Sequence, residues 1–274
     1  MPTELAVLGA GNMAEAIVRG ILAADTIPAA RIVACDVSAR RREFFERTLG
    51  VRAVESPAEA SAGASRILLS VKPHQVREVL AAAAGSIGPD CLVVSICAGI
   101  SAARIERLLH PIPRPRVVRT MPNTPLLVGE GAVAIAAGTH AGAQDMAAAR
   151  ALFAGSALVV EVPESQLDAV TALSGSGPAY FFLLVEHMIR AGVEMGLAPE
   201  TARDLAVRTA AGAARMLEKT GESPQELRRK VTTPNGTTHA AVSTFERLGL
   251  PAAVGEALRA AAERSRQLGE ELSA

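Results

Sequence analysis

The chain has 274 residues, 49% of them hydrophobic, with 28 basic and 28 acidic side chains and a formal net charge of zero. That length suits one or two domains with a sizeable core, and a neutral chain gives no electrostatic footprint for nucleic acid or an anionic membrane. The longest apolar stretches, such as CLVVSICAGI, fall well short of the roughly 20 residues of a spanning helix.

From the N-terminus to about residue 162, short β-branched runs alternate with helical patterns. The runs are ELAVLG, RIVACD, RILLSV, CLVVSI, RVVRT, AVAIAA and ALVVEV. Between them Met13–Ala24, Arg41–Leu49, Gln75–Ala83 and Ala102–Leu109 read as helices. Continuous apolar strands alternating with helices predict a doubly wound parallel sheet of the Rossmann type. After VPESQLD the strands stop, and helices follow, punctuated by SGSGP, LAPE, TGESP, TTPNG and LGLP. The expected division is a dinucleotide-binding domain over 1–162 and an all-helical domain over 163–274. Pro178 to Gly196 is apolar on most sides, which predicts a helix buried among others. The last helix sets Val254, Leu258, Ala261, Ser265, Leu268 and Leu272 in a seam that can pack within the chain or against a second copy.

The segment LAVLGAGNMAEAIVRGIL places Gly9, Ala10, Gly11, Asn12, Met13 and Ala14 after a strand and at a helix start. Glycines at 9 and 11 allow a tight turn and a close backbone approach to a diphosphate, and Ala14 allows close helix–strand packing. A second strand ending at Asp36 gives this G-x-G-x-x-A string the context that dinucleotide binding requires. The tip CDVSARRREFF points both ways on the cofactor. Asp36 suits the free ribose of NADH, whereas Ser38, Arg40 and Arg41, with Arg42, suit the 2′-phosphate of NADPH. The alternative for the arginines is a solvated first helical turn. Later strands end in LLSVKPHQV, SICAGI and RTMPNTP, which bring Ser70, Val71, Lys72, Pro73, Ala98, Gly99, Met121 and Asn123 to the same sheet edge as cofactor candidates.

No Ser-His-Asp, H-E-x-x-H or C-x-x-C arrangement occurs, so no metal site is expected, and the histidines show no ligand spacing. His187 reads as a core or interface residue, and His239 as a surface residue of a first helical turn. Cys35, Cys91 and Cys97 lie in or beside strand-like runs, where buried thiols are the ordinary outcome. The start MPTELAVLGAGN lacks the basic segment of a signal peptide. A reduced, cytoplasmic protein is the expected class. In VTTPNGTTHAAV, four threonines (Thr232, Thr233, Thr237 and Thr238) flank an Asn-Gly turn at an uncharged helix entrance.

GAGNMAEAI, VKPHQV, SICAGI, RTMPNTP, LSGSGPAYFF and TTPNGTTHAAV occur here in the order found in pyrroline-5-carboxylate reductases, and the resemblance covers essentially the whole chain. It implies NADPH- or NADH-dependent reduction of 1-pyrroline-5-carboxylate to L-proline, the last step of proline biosynthesis. It also implies a Rossmann domain followed by a helical dimerisation domain, with further assembly such as a decamer. By the same resemblance Thr238 is the catalytic residue, bonding the ring nitrogen. Gly236, Thr237, Thr238 and Thr233 hold the substrate carboxylate, and Ser176 and Gly177 of SGSGP come close to substrate. Two positions depart from the family's usual SPGGTT: Thr233 keeps a hydroxyl, and Asn235 is the non-glycine residue that best tolerates a left-handed turn. Cys97 stands where relatives often have alanine.

Three rivals define the alternatives. A β-hydroxyacid dehydrogenase needs a lysine on a central helix of its second domain, and residues 165–215 contain none. A non-catalytic dinucleotide sensor has no use for the TTPNGTT and SGSGPAY motifs. A reductase of a related cyclic imine, with a six-membered ring, stays open.

Overall fold

The computed structural model describes residues 2–271. Its first elements are β1 (Leu5–Leu8), α1 (Asn12–Ala23), β2 (Ile32–Cys35), α2 (Ala39–Leu49), β3 (Arg52–Val54), α3 (Pro57–Ser61) and β4 (Arg66–Leu69). Next come α4 (Val76–Ala83), β5 (Leu92–Ser95), α5 (Ala102–Leu108), β6 (Arg116–Met121), β7 (Gly131–Ala137), α6 (Ala143–Ala151) and β8 (Ala157–Glu161). The remaining helices are α7 (Leu167–Val170), α8 (Gly177–Glu194), α9 (Pro199–Thr220), α10 (Pro224–Lys230), α11 (Thr237–Arg247) and α12 (Leu250–Glu271).

The β-branched runs all form strands, and each of the four predicted helices is present. The pattern does not anticipate β3, α3 or α6. The first two are too short for a period to register, and α6 is an alanine-rich segment with no strong apolar face. The hydroxyls of Ser56 and Ser101 accept the N–H groups of Glu59 and Arg104 and cap α3 and α5. At the end of α2, Gly50 takes φ 66° and terminates the helix.

The strands form one eight-stranded sheet in the order β3-β2-β1-β4-β5-β6-β7-β8. Neighbours run parallel throughout except β6 and β7, where Val118 lies opposite Ala137 in an antiparallel pair. Alternate side chains feed two apolar layers. Leu5 and Val7 of β1 join Ile17, Ile21 and Phe153 on one face, while Ala6 and Leu8 join Leu80 and Ile105 on the other. Burial on both faces is the physical reason these strands read as unbroken apolar runs.

One compact unit runs through Ser176 and takes in the chain again from Ala260; the other is Gly177–Arg259. This differs from the expected boundary at 162/163, because the segment after β8 stays with the sheet. Leu167 is buried with Ala134 and Ala136 of β7, and Ser265 Oγ donates to Asp168 Oδ1 at 2.7 Å. Between α7 and α8 lies a π-helical segment, Thr171–Gly175. Ser176 continues it with helical backbone, φ −85° and ψ −17°, and its N–H donates to Thr171 O at 2.8 Å. Neither Ser174 nor Ser176 is therefore an extended N-cap, and the SGSGP stretch is a change of helical pitch rather than a break.

In the helical unit, Phe181 and Phe182 of α8 are 66% and 68% exposed, and Leu183, Leu184 and Met188 are exposed with them. Helices of the same chain do not supply the cover that this apolar pattern asks for. A run of large apolar groups left open in this way marks a protein–protein contact surface. The seam on α12 is divided: Ser265 is buried, Val254 is exposed, and Leu272 lies outside the described residues. No helix among the described residues is long and apolar enough to cross a membrane. Cys35, Cys91 and Cys97 are free and buried. Burial pushes their thiols up to about 11, 12 and 12, which keeps them protonated and unreactive near neutral pH.

Candidate active site

At the end of β1 the chain turns through Gly9, φ 97°, where a Cβ would lie 2.8 Å from the Ser70 carbonyl carbon and oxygen. Only glycine combines that dihedral with that approach. Ser70, at the end of β4, secures the turn: its N–H donates to Leu8 O at 2.8 Å and its hydroxyl to Gly9 O at 2.5 Å. Gly11 is different. Its φ is −72°, and a Cβ there would meet nothing within 4 Å. Gly11 is the N-cap of α1, and no side chain caps the helix. The first-turn N–H groups thus face an open side, which is a ready anion site. It lies between β1 and β4, where the sheet order reverses and ligands of open α/β sheets bind.

A groove over these strand ends is lined by Gly9, Gly11, Asp36, Val37, Val71 and Lys72. Cys35, Glu55, Pro57, Ser70, Gln75 and Val79 also line it. Of the candidates, Lys72 is exposed and reaches the groove, while Pro73 opens the short 3₁₀ turn beyond it. Asn12, Met13 and Ala14 form the first turn of α1, with Ala14 buried in the core as close packing requires.

At the tip of β2 the charged groups divide by task. The Asp36 carboxylate accepts the Ala10 N–H at 2.9 Å on one oxygen and the Ser38 N–H at 2.8 Å on the other. Arg41 turns inward: Nε donates to Ala10 O at 2.6 Å, Nη2 donates to Glu15 Oε2 at 3.0 Å, and the guanidinium lies over the Phe44 ring. Arg42 donates to the carbonyls of Asp36 and Val37 and pairs with Glu55. Only Arg40 and the Ser38 hydroxyl are left exposed and without partners among the described residues.

The ends of β5 and β6 do more bracing than lining. Gly99, φ 75°, packs against α12, where a Cβ would come within 3.2 Å of Gly269 N. Ala98 beside it is exposed. Asn123 is buried; its Oδ1 accepts the Ala132 N–H at 2.9 Å and its Nδ2 donates to Ser174 O at 3.3 Å. Met121 fills the space beside Gly175, whose Cβ would meet Met121 Cε. These two residues hold the π-helical segment against the sheet.

In the helical unit, Thr233-Pro234-Asn235-Gly236 forms a tight turn closed by Gly236 N–H donating to Thr233 O at 3.0 Å. Asn235 takes φ 60°, so proline and a left-handed residue occupy the two central positions as a type II turn demands. Gly236 then caps α11 with extended backbone, and no side chain bonds the first turn. A Cβ on Gly236 would sit 2.5 Å from the Thr233 hydroxyl, which places that hydroxyl at the helix entrance. Thr237 and Thr238 follow, the second half-buried, and His239 is exposed as expected. The entrance offers backbone N–H donors and hydroxyls with no charged side chain of its own.

Against known proteins, the chain is 46% identical over 270 residues to the pyrroline-5-carboxylate reductase of Pseudomonas aeruginosa, covering 98% of each. The chain belongs to the pyrroline-5-carboxylate reductase family. Residues 164–268 match the pyrroline-5-carboxylate reductase dimerisation family, and residues 4–99 match the family described as NADP oxidoreductase, coenzyme F420-dependent. Among solved structures, a pyrroline-5-carboxylate reductase from Coxiella burnetii superposes with a TM-score of 0.89 at 35% identity, covering 98% of this chain and 99% of that one. The Plasmodium falciparum pyrroline carboxylate reductase, crystallised with NADP bound, superposes at 0.87 and 28% identity, covering 97% and 98%. Membership in this family accounts for the open apolar face of α8: it belongs to a dimerisation domain, and the protein is a homo-oligomer.

Sequence reasoning missed part of the lining of the groove at the strand ends. Pro57 belongs to α3, which has no pattern of its own, and Val37 was hidden between two polar candidates. Exposure of a large apolar side chain beside a cofactor groove is the signal that finds Val37, and it requires coordinates.

Proposed function

We infer that the protein reduces 1-pyrroline-5-carboxylate to L-proline, taking hydride from NAD(P)H and a proton for the ring nitrogen. Near full-length identity to the P. aeruginosa reductase carries this reading. The site fits it chemically: an uncapped helix start beside Gly11 suits a diphosphate, and an uncharged, hydroxyl-bearing helix entrance suits a small carboxylate. NAD(P)H, when bound, supplies the hydride; the chain's own residues position and desolvate the imine. The N–H groups of Thr237 and Thr238 take the carboxylate, the Thr233 hydroxyl assists, and the Thr238 hydroxyl bonds the ring nitrogen. Ser176 and Gly177 border the substrate.

Spectrophotometric oxidation of NADPH and NADH with pyrroline-5-carboxylate, and with its six-membered homologue, tests the reading. Oxidation with the five-membered imine is expected. Activity confined to the six-membered ring would move the enzyme to a related substrate, and no oxidation with either would remove the assignment.

NADPH is the proposed coenzyme. Both oxygens of Asp36 already accept backbone N–H groups, so its charge is partly answered by the chain, while Ser38 and Arg40 stand free at the start of α2. Arg40→Ala should raise KM for NADPH about tenfold, the loss of one charge-assisted bond to phosphate, and leave KM for NADH unchanged. Equal effects on both coenzymes would place the phosphate elsewhere.

The homo-oligomer is proposed to be a decamer in a reducing cytoplasm, where buried free thiols such as Cys91 persist. Light scattering should give a mass near ten chains, and a dimer mass at micromolar concentration would restrict assembly to the helical contact.

A further inference from the structure

Ala10 is gripped from both sides. Its N–H donates to Asp36 Oδ2 at 2.9 Å, and its carbonyl accepts from Arg41 Nε at 2.6 Å. Neither grip is a loose surface contact. Arg41 is held at its other end by Glu15 at 3.0 Å and lies 4.8 Å from the Phe44 ring centroid. Glu15 is itself bonded by Arg19 at 3.0 Å. Asp36 is fixed by the Ser38 N–H at 2.8 Å.

The consequence lies in the peptide plane. In a trans peptide the carbonyl and the following N–H point in opposite directions. Holding the Ala10 carbonyl on Arg41 therefore aims the Gly11 N–H away from the guanidinium. The Gly11 N–H has no partner among the described residues. Arg41 already commits Nε to the Ala10 carbonyl and Nη2 to Glu15, and its charge is answered by that carboxylate.

We propose that Arg41 is a positioning residue of the coenzyme site: with Asp36 it clamps Ala10 and sets the direction of the Gly11 N–H donor toward the diphosphate. The inference rests on the dinucleotide reading above and deepens it. It assigns Arg41 to the part of the coenzyme that NADPH and NADH share, and separates it from Arg40 one residue earlier.

Fluorescence titration with NADPH and NADH, on the full-length enzyme at a temperature well below its unfolding midpoint, tests the clamp. Arg41→Gln should weaken both coenzymes by the same factor, about tenfold for one charge-assisted hydrogen bond, with the NADPH/NADH affinity ratio of the wild type retained. A loss confined to NADPH would make Arg41 a phosphate ligand and overturn the proposal. Unchanged affinity for both, whatever the thermal midpoint, would reduce Arg41 to a fold contact and overturn it equally. If Arg41→Gln does not fold, Glu15→Gln decides. It keeps the Arg41–Ala10 bond but removes the carboxylate charge that anchors the far end of the guanidinium, and it should weaken both coenzymes equally by two- to threefold; no change, or a change in one alone, rejects the clamp. Failure of the wild type to bind either coenzyme would instead strike at the dinucleotide reading itself.

Discussion

Gly11→Asp should leave the protein folded and abolish coenzyme binding. The two loop glycines are not equivalent, and the difference makes the experiment clean. Gly9 sits at φ 97° with Ser70 backbone where its Cβ would be, so even alanine there strains the chain. Gly11 sits at φ −72° with open space at its Cβ, so a side chain can be added there without backbone strain or a clash at Cβ. An aspartate at 11 would place a carboxylate where the diphosphate approaches the start of α1. Like charges brought together in a binding site cost several kcal/mol, which at about 1.4 kcal/mol per tenfold is a loss of more than roughly a hundredfold in affinity. Circular dichroism and the thermal midpoint should stay within a few degrees of wild type. Titration with NADPH and NADH should show no saturable binding in the concentration range where the wild type saturates. Gly9→Ala provides the contrast, with a lowered midpoint before any question of coenzyme. Retained affinity in Gly11→Asp would mean that the diphosphate does not approach this loop.

That contrast also shows where the sequence was readable. Gly-x-Gly after an apolar strand announces a tight turn and a close approach, and both follow from backbone sterics that act locally. Asn235 was readable for the same reason, and the turn places it at φ 60°. The division between Arg40 and Arg41 was not. Consecutive residues on a helix point about 100° apart, and which one meets the Ala10 carbonyl depends on how α2 lies beside α1. Asp36 is a ribose candidate by its place at the end of β2, but the hydrogen bonds it accepts from the Ala10 and Ser38 N–H groups are visible only in the folded chain. SGSGP misled in another way. Serine, glycine and proline together read as a break, whereas a π-helical segment has no composition of its own and depends on Asn123 and Met121 packing against it. For α8, the apolar pattern correctly gave a helix meant for burial. Whether the cover comes from the same chain or a second copy is not written in one helix, and the exposed Phe181 and Phe182 answer it only once the chain is folded.

Thr238→Val should fold, bind coenzyme normally and turn over roughly 10²–10³-fold more slowly. Valine keeps the β-branched shape, so the first turn of α11 loses a hydroxyl and little else. That hydroxyl has no partner among the described residues and does not cap the helix, so its removal leaves no orphaned donor in the folded chain. Its only proposed task is the ring nitrogen of the substrate, where the reduced product carries a proton that the imine lacks. A hydrogen bond that strengthens as charge shifts in the transition state typically accounts for 10²–10³ in turnover. The loss should therefore appear in kcat, with KM for NADPH unchanged because Thr238 has no part in holding the coenzyme. Thr238→Ser restores the hydroxyl without the methyl group and should recover most of the rate. Thr233→Val, by contrast, should act on KM for the imine, since the Thr233 hydroxyl stands beside Gly236 at the carboxylate end of the entrance. If Thr238→Val turned over near the wild-type rate, the proton would have to reach the nitrogen from water or from the substrate itself, and the entrance at Gly236 would be left with anion binding alone.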